Sequence, residues 1–213
     1  MKKILFFGTA VTALGLAMPA AGALEGDAAA GAETAVICNA CHQPDGSGMN
    51  IPGGESWPRL AGQNAEYMFK QLQDFKSGVR QNASMLPFAS MLDEQQMKNV
   101  AVHFSQMPAT EGKGAEQADE ALLAKGRKLA MEGNWDSYVV PCKSCHGPAN
   151  QGVGSDFPGI AGQHAGYIAD QLRKWQKGER DNDPQHLMLA IAERLTEDEI
   201  QAVSAWLATQ PAR

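Results

Sequence analysis

The sequence predicts an all-α protein built from two tandem copies of one small domain. Three observations carry the prediction. The block Pro58 to Arg80, PRLAGQNAEYMFKQLQDFKSGVR, returns as Pro158 to Arg180, PGIAGQHAGYIADQLRKWQKGER, displaced by 100 positions. A second block, Met85 to Pro108, returns as Met188 to Pro211 at a displacement of 103, pairing Leu92 with Leu195 and Val100 with Val203. Apolar residues in both copies recur at helical spacing, and no strand-like alternation stands out. A repeat of this length is one folding unit used twice, so the expected domains are residues 24–109 and 119–213, joined by residues 110–118.

At the N-terminus, two lysines precede an apolar run from Ile4 to Met18 and small residues through Ala23. That layout is a secretory signal, expected to span residues 1–23, and it is shorter than the roughly 20 apolar residues of a spanning helix. Without it, 16 bases face 24 acids, a net charge of −8. Such a balance excludes a nucleic-acid partner, which needs a basic patch. Nothing later is long and apolar enough to span a bilayer, which leaves a soluble protein or one peripherally associated with a membrane.

In the first domain the spacing predicts a helix from about Ala65 to Ser77, with Met68, Leu72 and Phe75 inward and Gly78 as its left-handed cap. A final helix begins at Asp93, which forms a capping-box pattern with Gln96, and places Met97, Val100, Ala101 and Phe104 on one stripe before Pro108 stops it. The stretch 110–118 is rich in glycine and charge and has no apolar periodicity, so it reads as a surface linker. The second domain repeats the pattern: Thr196 with Glu199 as capping box, then Ile200, Val203, Ser204 and Leu207, then Pro211. Three or so short helices in roughly 90 residues make a thin core, and a bound prosthetic group would supply the missing apolar bulk.

All four cysteines fall in two copies of Cys-x-x-Cys-His: Cys38, Cys41 and His42, then Cys142, Cys145 and His146. Two thiols one turn apart can add to the two vinyl groups on one edge of a heme, and the adjoining histidine then reaches the iron. The expected cofactors are two covalently bound heme c groups. A zinc site would need both pairs to meet across two domains and gives the histidines no task. A thioredoxin-like dithiol expects a βαβ context that is missing here, and plain disulfides leave the paired histidines unexplained.

An iron with histidine on one side takes its character from the other: methionine suits electron transfer, whereas an open position suits catalysis. Met85 and Met188 are the methionines that face each other at a repeat displacement; Met49, Met91, Met97, Met107 and Met131 have no such mate. They are the predicted sixth ligands, against the alternative that they fill core gaps. His103, His164 and His186 face Trp206, Asn64 and Ala83, so no second histidine is duplicated. The ligand histidine should donate its other N–H, and the carbonyls of Pro58 and Pro158 are candidate acceptors. Tyr67/Tyr167, Gln63/Gln163 and Arg80/Arg180 are polar pairs in register, suited either to heme carboxylates or to ordinary helix-surface and capping duty. Arg59 faces Gly159 and receives no role.

These residues resemble the cytochrome c4 family, the periplasmic two-heme cytochromes built from two class I cytochrome c domains. CNACHQPDGSG and CKSCHGPANQGVG, the PRLAGQ and PGIAGQ loops, and both methionine-to-terminal-helix segments carry the resemblance over nearly the whole chain after residue 23. It implies thioether attachment at Cys38, Cys41, Cys142 and Cys145, and axial ligation by His42 with Met85 and by His146 with Met188. It further implies a pseudo-twofold domain interface, a periplasmic location, and electron shuttling between membrane respiratory complexes, from quinol-cytochrome c reductase toward a cbb-type terminal oxidase. Met91 stands near enough to the final helix to remain an alternative to Met85, and the insertion Glu132 to Val140 departs from the first domain. The expected function is therefore non-enzymatic electron transfer. The rivals are a two-heme electron-accepting subunit of a flavin-dependent sulfide dehydrogenase, and a heme peroxidase with an open coordination site. Residues 24–112 carry five bases against ten acids, and residues 113–213 eleven against fourteen, so the two hemes should differ in potential.

Overall fold

The computed structural model describes residues 24–212; the expected signal at residues 1–23 lies outside the described residues. The first domain contains α1 (Ala28–Ala35), α2 (Asn39–His42), α3 (Ala65–Ser77), α4 (Leu86–Met91) and α5 (Glu94–Gln106). The second contains α6 (Glu120–Glu132), α7 (Lys143–His146), α8 (Ala165–Gln176), α9 (Leu187–Ala192) and α10 (Glu197–Ala208), with 3-10 turns at Trp135–Ser137 and Pro184–His186. Among the described residues the extended structure amounts to three isolated bridges, Met49 with Trp57, Asn134 with Val139 and Val153 with Phe157. The two-domain all-α expectation is met, with more helices per domain than three.

Local signals fix the long helices. Asn64 accepts the Tyr67 N–H to start α3, and Gly78 ends it at φ 79°, a left-handed conformation that glycine adopts without a Cβ penalty. Both capping boxes are complete, Asp93 with Gln96 on α5 and Thr196 with Glu199 on α10. The α5 stripe of Met97, Val100, Ala101 and Phe104 is buried, as is the α10 stripe of Ile200, Val203, Ser204 and Leu207.

Each terminal helix packs on the first helix of its own domain, α5 on α1 and α10 on α6. One glycine makes each crossing possible. A Cβ on Gly31 would run into the Asn99 carbonyl, and one on Gly126 into the Ala202 carbonyl, so the backbones touch there.

The linker is on the surface but not loose. Lys113 donates its N–H to His164 Nδ1 at 3.0 Å and accepts the Ala165 N–H at 2.9 Å, which straps the segment onto the start of α8.

The domains meet through a reciprocal polar network. Arg80 donates to Tyr167 Oη at 2.9 Å and Gln171 at 2.7 Å, while Arg180 donates to Tyr67 Oη at 3.1 Å and Gln71 at 3.4 Å. Within its own domain each guanidinium also bonds the glutamine of the facing helix, Arg80 to Gln71 and Arg180 to Gln171. The two arginines are only 7% and 5% exposed, which replaces the surface-and-capping alternative with a buried interface role. Each also lies over an aromatic ring, Arg80 on Phe75 and Arg180 on Trp175.

Candidate functional site

Both Cys-x-x-Cys-His motifs form a single helical turn. Cys38 precedes α2, and the Cys41 and His42 N–H groups donate back to its carbonyl at 3.2 and 2.9 Å. Cys142 stands in the same relation to Cys145 and His146, at 3.2 and 2.9 Å. One turn brings the two thiols of each motif to one side, with the histidine immediately after.

The loop that follows each motif is shaped to meet that histidine. The Met49–Trp57 and Val153–Phe157 bridges close small loops, and Pro58 and Pro158 come directly after them. His42 Nδ1 lies 2.9 Å from the Pro58 oxygen, and His146 Nδ1 lies 2.8 Å from the Pro158 oxygen. A carbonyl can only accept, so each Nδ1 carries the proton and each Nε2 keeps its lone pair. Burial pushes both imidazoles below the ordinary histidine pKa, partly opposed by these bonds. They are neutral at pH 7, the form that binds metal.

Met85 and Met188 are held by short polar turns. The Met85 N–H donates to Asn82 Oδ1 at 2.8 Å, and the Met188 N–H donates to Asp183 Oδ2 at 2.7 Å. Asp183 is itself anchored by Trp175 Nε1 at 2.8 Å. His42, Met85, His146, Met188 and all four cysteines line one cavity of about 520 Å³ that crosses the domain interface. Met91 lies outside that lining and is 62% exposed. His103, His164 and His186 are also outside it; His186 pairs with Asp181 at the surface.

The lining fits a heme. Leu72, Phe75, Val100 and Phe104 wall the first half, and Ile168, Leu172, Trp175 and Leu207 the second. Arg80 and Arg180 reach the cavity between these halves, and neither guanidinium bonds a carboxylate among the described residues. That leaves cationic donors for a ligand's carboxylates. The four cysteines are unpaired. Burial pushes the Cys38 and Cys142 thiols up to about 11, so neither is the ready thiolate of a redox dithiol. Nor does any group of three His, Cys, Asp or Glu side chains converge on a metal position among the described residues.

Arg59 is the residue the repeat did not expose. It is buried at the interface, with Nε donating to the Gly162 carbonyl at 3.0 Å, Nη2 to the Ala161 carbonyl at 3.1 Å, and Nη1 to Ala61. Its repeat mate is Gly159, so duplication gave no sign of it; an arginine two residues before an Ala-Gly-Gln turn was the one available hint.

Known proteins share this two-domain build. The cytochrome c family model matches the chain twice, over residues 28–119 and 123–211. A thiosulfate dehydrogenase electron acceptor from Stutzerimonas stutzeri is 44% identical over 82% of this chain and 79% of its own length. Cytochrome c4 from Thiocapsa roseopersicina is 40% identical over 85% of this chain and 92% of its own. The crystal structure of reduced cytochrome c4 from Pseudomonas stutzeri overlays with a TM-score of 0.76 at 35% identity, covering 88% of this chain and all of that one. The chain therefore belongs to the cytochrome c family, in its cytochrome c4 branch, as an electron carrier with two covalently bound heme c groups.

Proposed function

We propose that the protein shuttles electrons in the periplasm between membrane respiratory complexes, receiving them from a quinol-cytochrome c reductase and donating to a cbb-type terminal oxidase. The observation that carries the reading is the shared cavity: both motifs and both methionines line one largely apolar space across the interface. Two redox sites so arranged can exchange an electron inside the protein.

In this reading residues 24–109 and 119–213 are the two electron-carrying units, joined by 110–118 and exported by the signal at 1–23. Cys38 and Cys41, and Cys142 and Cys145, would form the thioethers, and His42 with Met85, and His146 with Met188, would hold the iron. The bound iron supplies a reversible one-electron couple, and methionine ligation favours its reduced form. The chain's own part is to hold and exclude. The Pro58 and Pro158 carbonyls fix the imidazole rings, the aromatic and aliphatic walls keep water from the metal, and Arg80 and Arg180 compensate buried carboxylates. With a histidine and a methionine of the chain holding each iron, no position would be left for substrate chemistry.

The 44% identical relative named as a thiosulfate dehydrogenase electron acceptor supports a second reading, which differs in the donor. There, electrons arrive from a sulfur-compound dehydrogenase, a role close to that of a subunit paired with a sulfide dehydrogenase.

Two experiments test the proposal. Met85→Ala and Met188→Ala should each remove about half of the weak red absorption of methionine-ligated ferric heme, one of two equal sites; a spectrum unchanged by either rejects the ligand set. Stopped-flow reduction by quinol-cytochrome c reductase, compared with thiosulfate dehydrogenase plus thiosulfate, identifies the donor.

A further inference from the structure

We propose that each domain's loop glutamine controls the electron-donating strength of the other domain's ligand histidine, through a single shared peptide group. The inference rests on the ligand assignment above. His42 Nδ1–H donates to the Pro58 oxygen at 2.9 Å. The N–H of that same peptide group belongs to Arg59, and it donates across the interface to Gln163 Oε1 at 2.8 Å. Gln163 Nε2 returns a bond to the Arg59 oxygen at 3.0 Å. The other half is its mirror: His146 Nδ1–H to the Pro158 oxygen at 2.8 Å, the Gly159 N–H to Gln63 Oε1 at 3.0 Å, and Gln63 Nε2 to the Gly159 oxygen at 2.9 Å.

The glutamines are built in. They are 7% and 4% exposed and line the cavity. Each Oε1 also accepts the N–H of the next residue, Asn64 or His164, at 3.0 Å. Two backbone N–H donors converging on one atom assign it as oxygen and fix the amide orientation.

An amide whose N–H is engaged carries more negative charge on its oxygen, because hydrogen bonds in a chain polarise one another. The Pro58 oxygen then pulls harder on the imidazole N–H, which makes the ring a stronger donor to its metal and favours the oxidised state. Gln163 thus holds down the potential of the heme attached at Cys38 and Cys41, and Gln63 that of the heme attached at Cys142 and Cys145. If the glutamines only tied the domains together, their loss would not single out the opposite heme.

The test uses the full-length, heme-loaded protein, with the two potentials separated by titration and assigned through NMR signals of each heme. Gln163→Leu should shift the equilibrium of the first heme toward reduction about threefold, or about 28 mV at ~59 mV per tenfold, with a smaller change at the second heme. Gln63→Leu should do the converse. Gln163→Asn keeps an amide but is one methylene too short to accept the Arg59 N–H, so it should move the first heme in the same direction as the leucine variant; it carries the test if that variant does not assemble. Equal shifts at both hemes, shifts confined to the substituted domain, or no shift overturns the relay. Absence of the methionine-ligated ferric absorption in the unsubstituted protein would instead reject the ligand assignment, so the two failures are distinct.

Discussion

Gly126→Ala tests whether the contact of α6 with α10 is as tight as the structure shows. The added Cβ would sit 2.6 Å from the Ala202 carbonyl carbon and 2.7 Å from Trp206 Cβ, and the first of these is backbone that cannot swing aside. Carbon contacts are comfortable from about 3.5 Å, so the helices must part by roughly 1 Å. Leu129 and Ala130 on α6 share a core with Ile200 and Val203 on α10 and lose part of that packing. Overpacking against backbone costs about 2–3 kcal/mol, the upper part of the usual range, while replacing glycine by alanine within a helix returns about 1 kcal/mol. The net is a loss of about 1–2 kcal/mol, or a Tm lowered by about 2–8 °C for a chain this long. Thermal unfolding of the heme-loaded protein measures it. Ala124→Gly, at an exposed position of the same helix, isolates the propensity effect and should also destabilise. If propensity governed both sites, the two substitutions would have opposite signs; a Gly126→Ala protein as stable as its parent refutes the close crossing.

Two further outcomes follow from the interface. His164 accepts the Lys113 N–H on Nδ1 and donates from Nε2 to the Ser47 oxygen at 2.8 Å, so a proton on Nδ1 breaks the first bond. Burial holds its pKa below the ordinary 6.5, opposed by the Ser47 bond and by Glu116 and reinforced by Arg59 and Lys113. The unfolded chain therefore takes up the proton first as pH falls, and this contribution is complete above 6.5 and lost progressively below it. Urea unfolding at about pH 7.5 and about pH 5.5 should show the loss in the parent and a flatter response in His164→Asn, since asparagine does not titrate in that range. Arg80→Met removes three charge-assisted bonds, yet Gln71 and Gln171 keep Arg180 as a donor and only the Tyr167 hydroxyl loses its guanidinium. The cost should be about 2 kcal/mol by urea unfolding rather than three times the ~1.5–3 kcal/mol of an isolated bond to a charge. A loss above about 5 kcal/mol would mean the sharing of acceptors has no value.

What was legible in the sequence was local or duplicated. The helices α3, α5 and α10 announce themselves through periodic apolar residues and through caps that act within four positions of one another. The helices α1 and α6 did not. The first is AAAGAETA, with little contrast between its faces, and what matters in both is a glycine where backbones touch. Gly31 and Gly126 are separated by 95 positions rather than 100 to 104, because the segment before the second motif is longer, and so the pair falls out of register. The repeat showed Tyr67, Arg80 and Gln63 to be equivalent to Tyr167, Arg180 and Gln163, but equivalence is not contact. That each reaches the other domain is a property of how two surfaces dock, which no single-chain periodicity encodes. Met91 shows the same boundary from the other side: six residues beyond the expected position in sequence, it stands at the end of α4 and is exposed.

The glutamine grip at the interface takes hold of backbone atoms and leaves the gripped residue's side chain free. Positions 59 and 159 therefore differ without unfastening the joint: one is arginine, and the other is a glycine whose Cβ would run into the Gln151 carbonyl. A symmetric scaffold has in this way admitted a buried positive charge on one side only. Directionality, the one property that two identical halves cannot have, enters at this pair of positions.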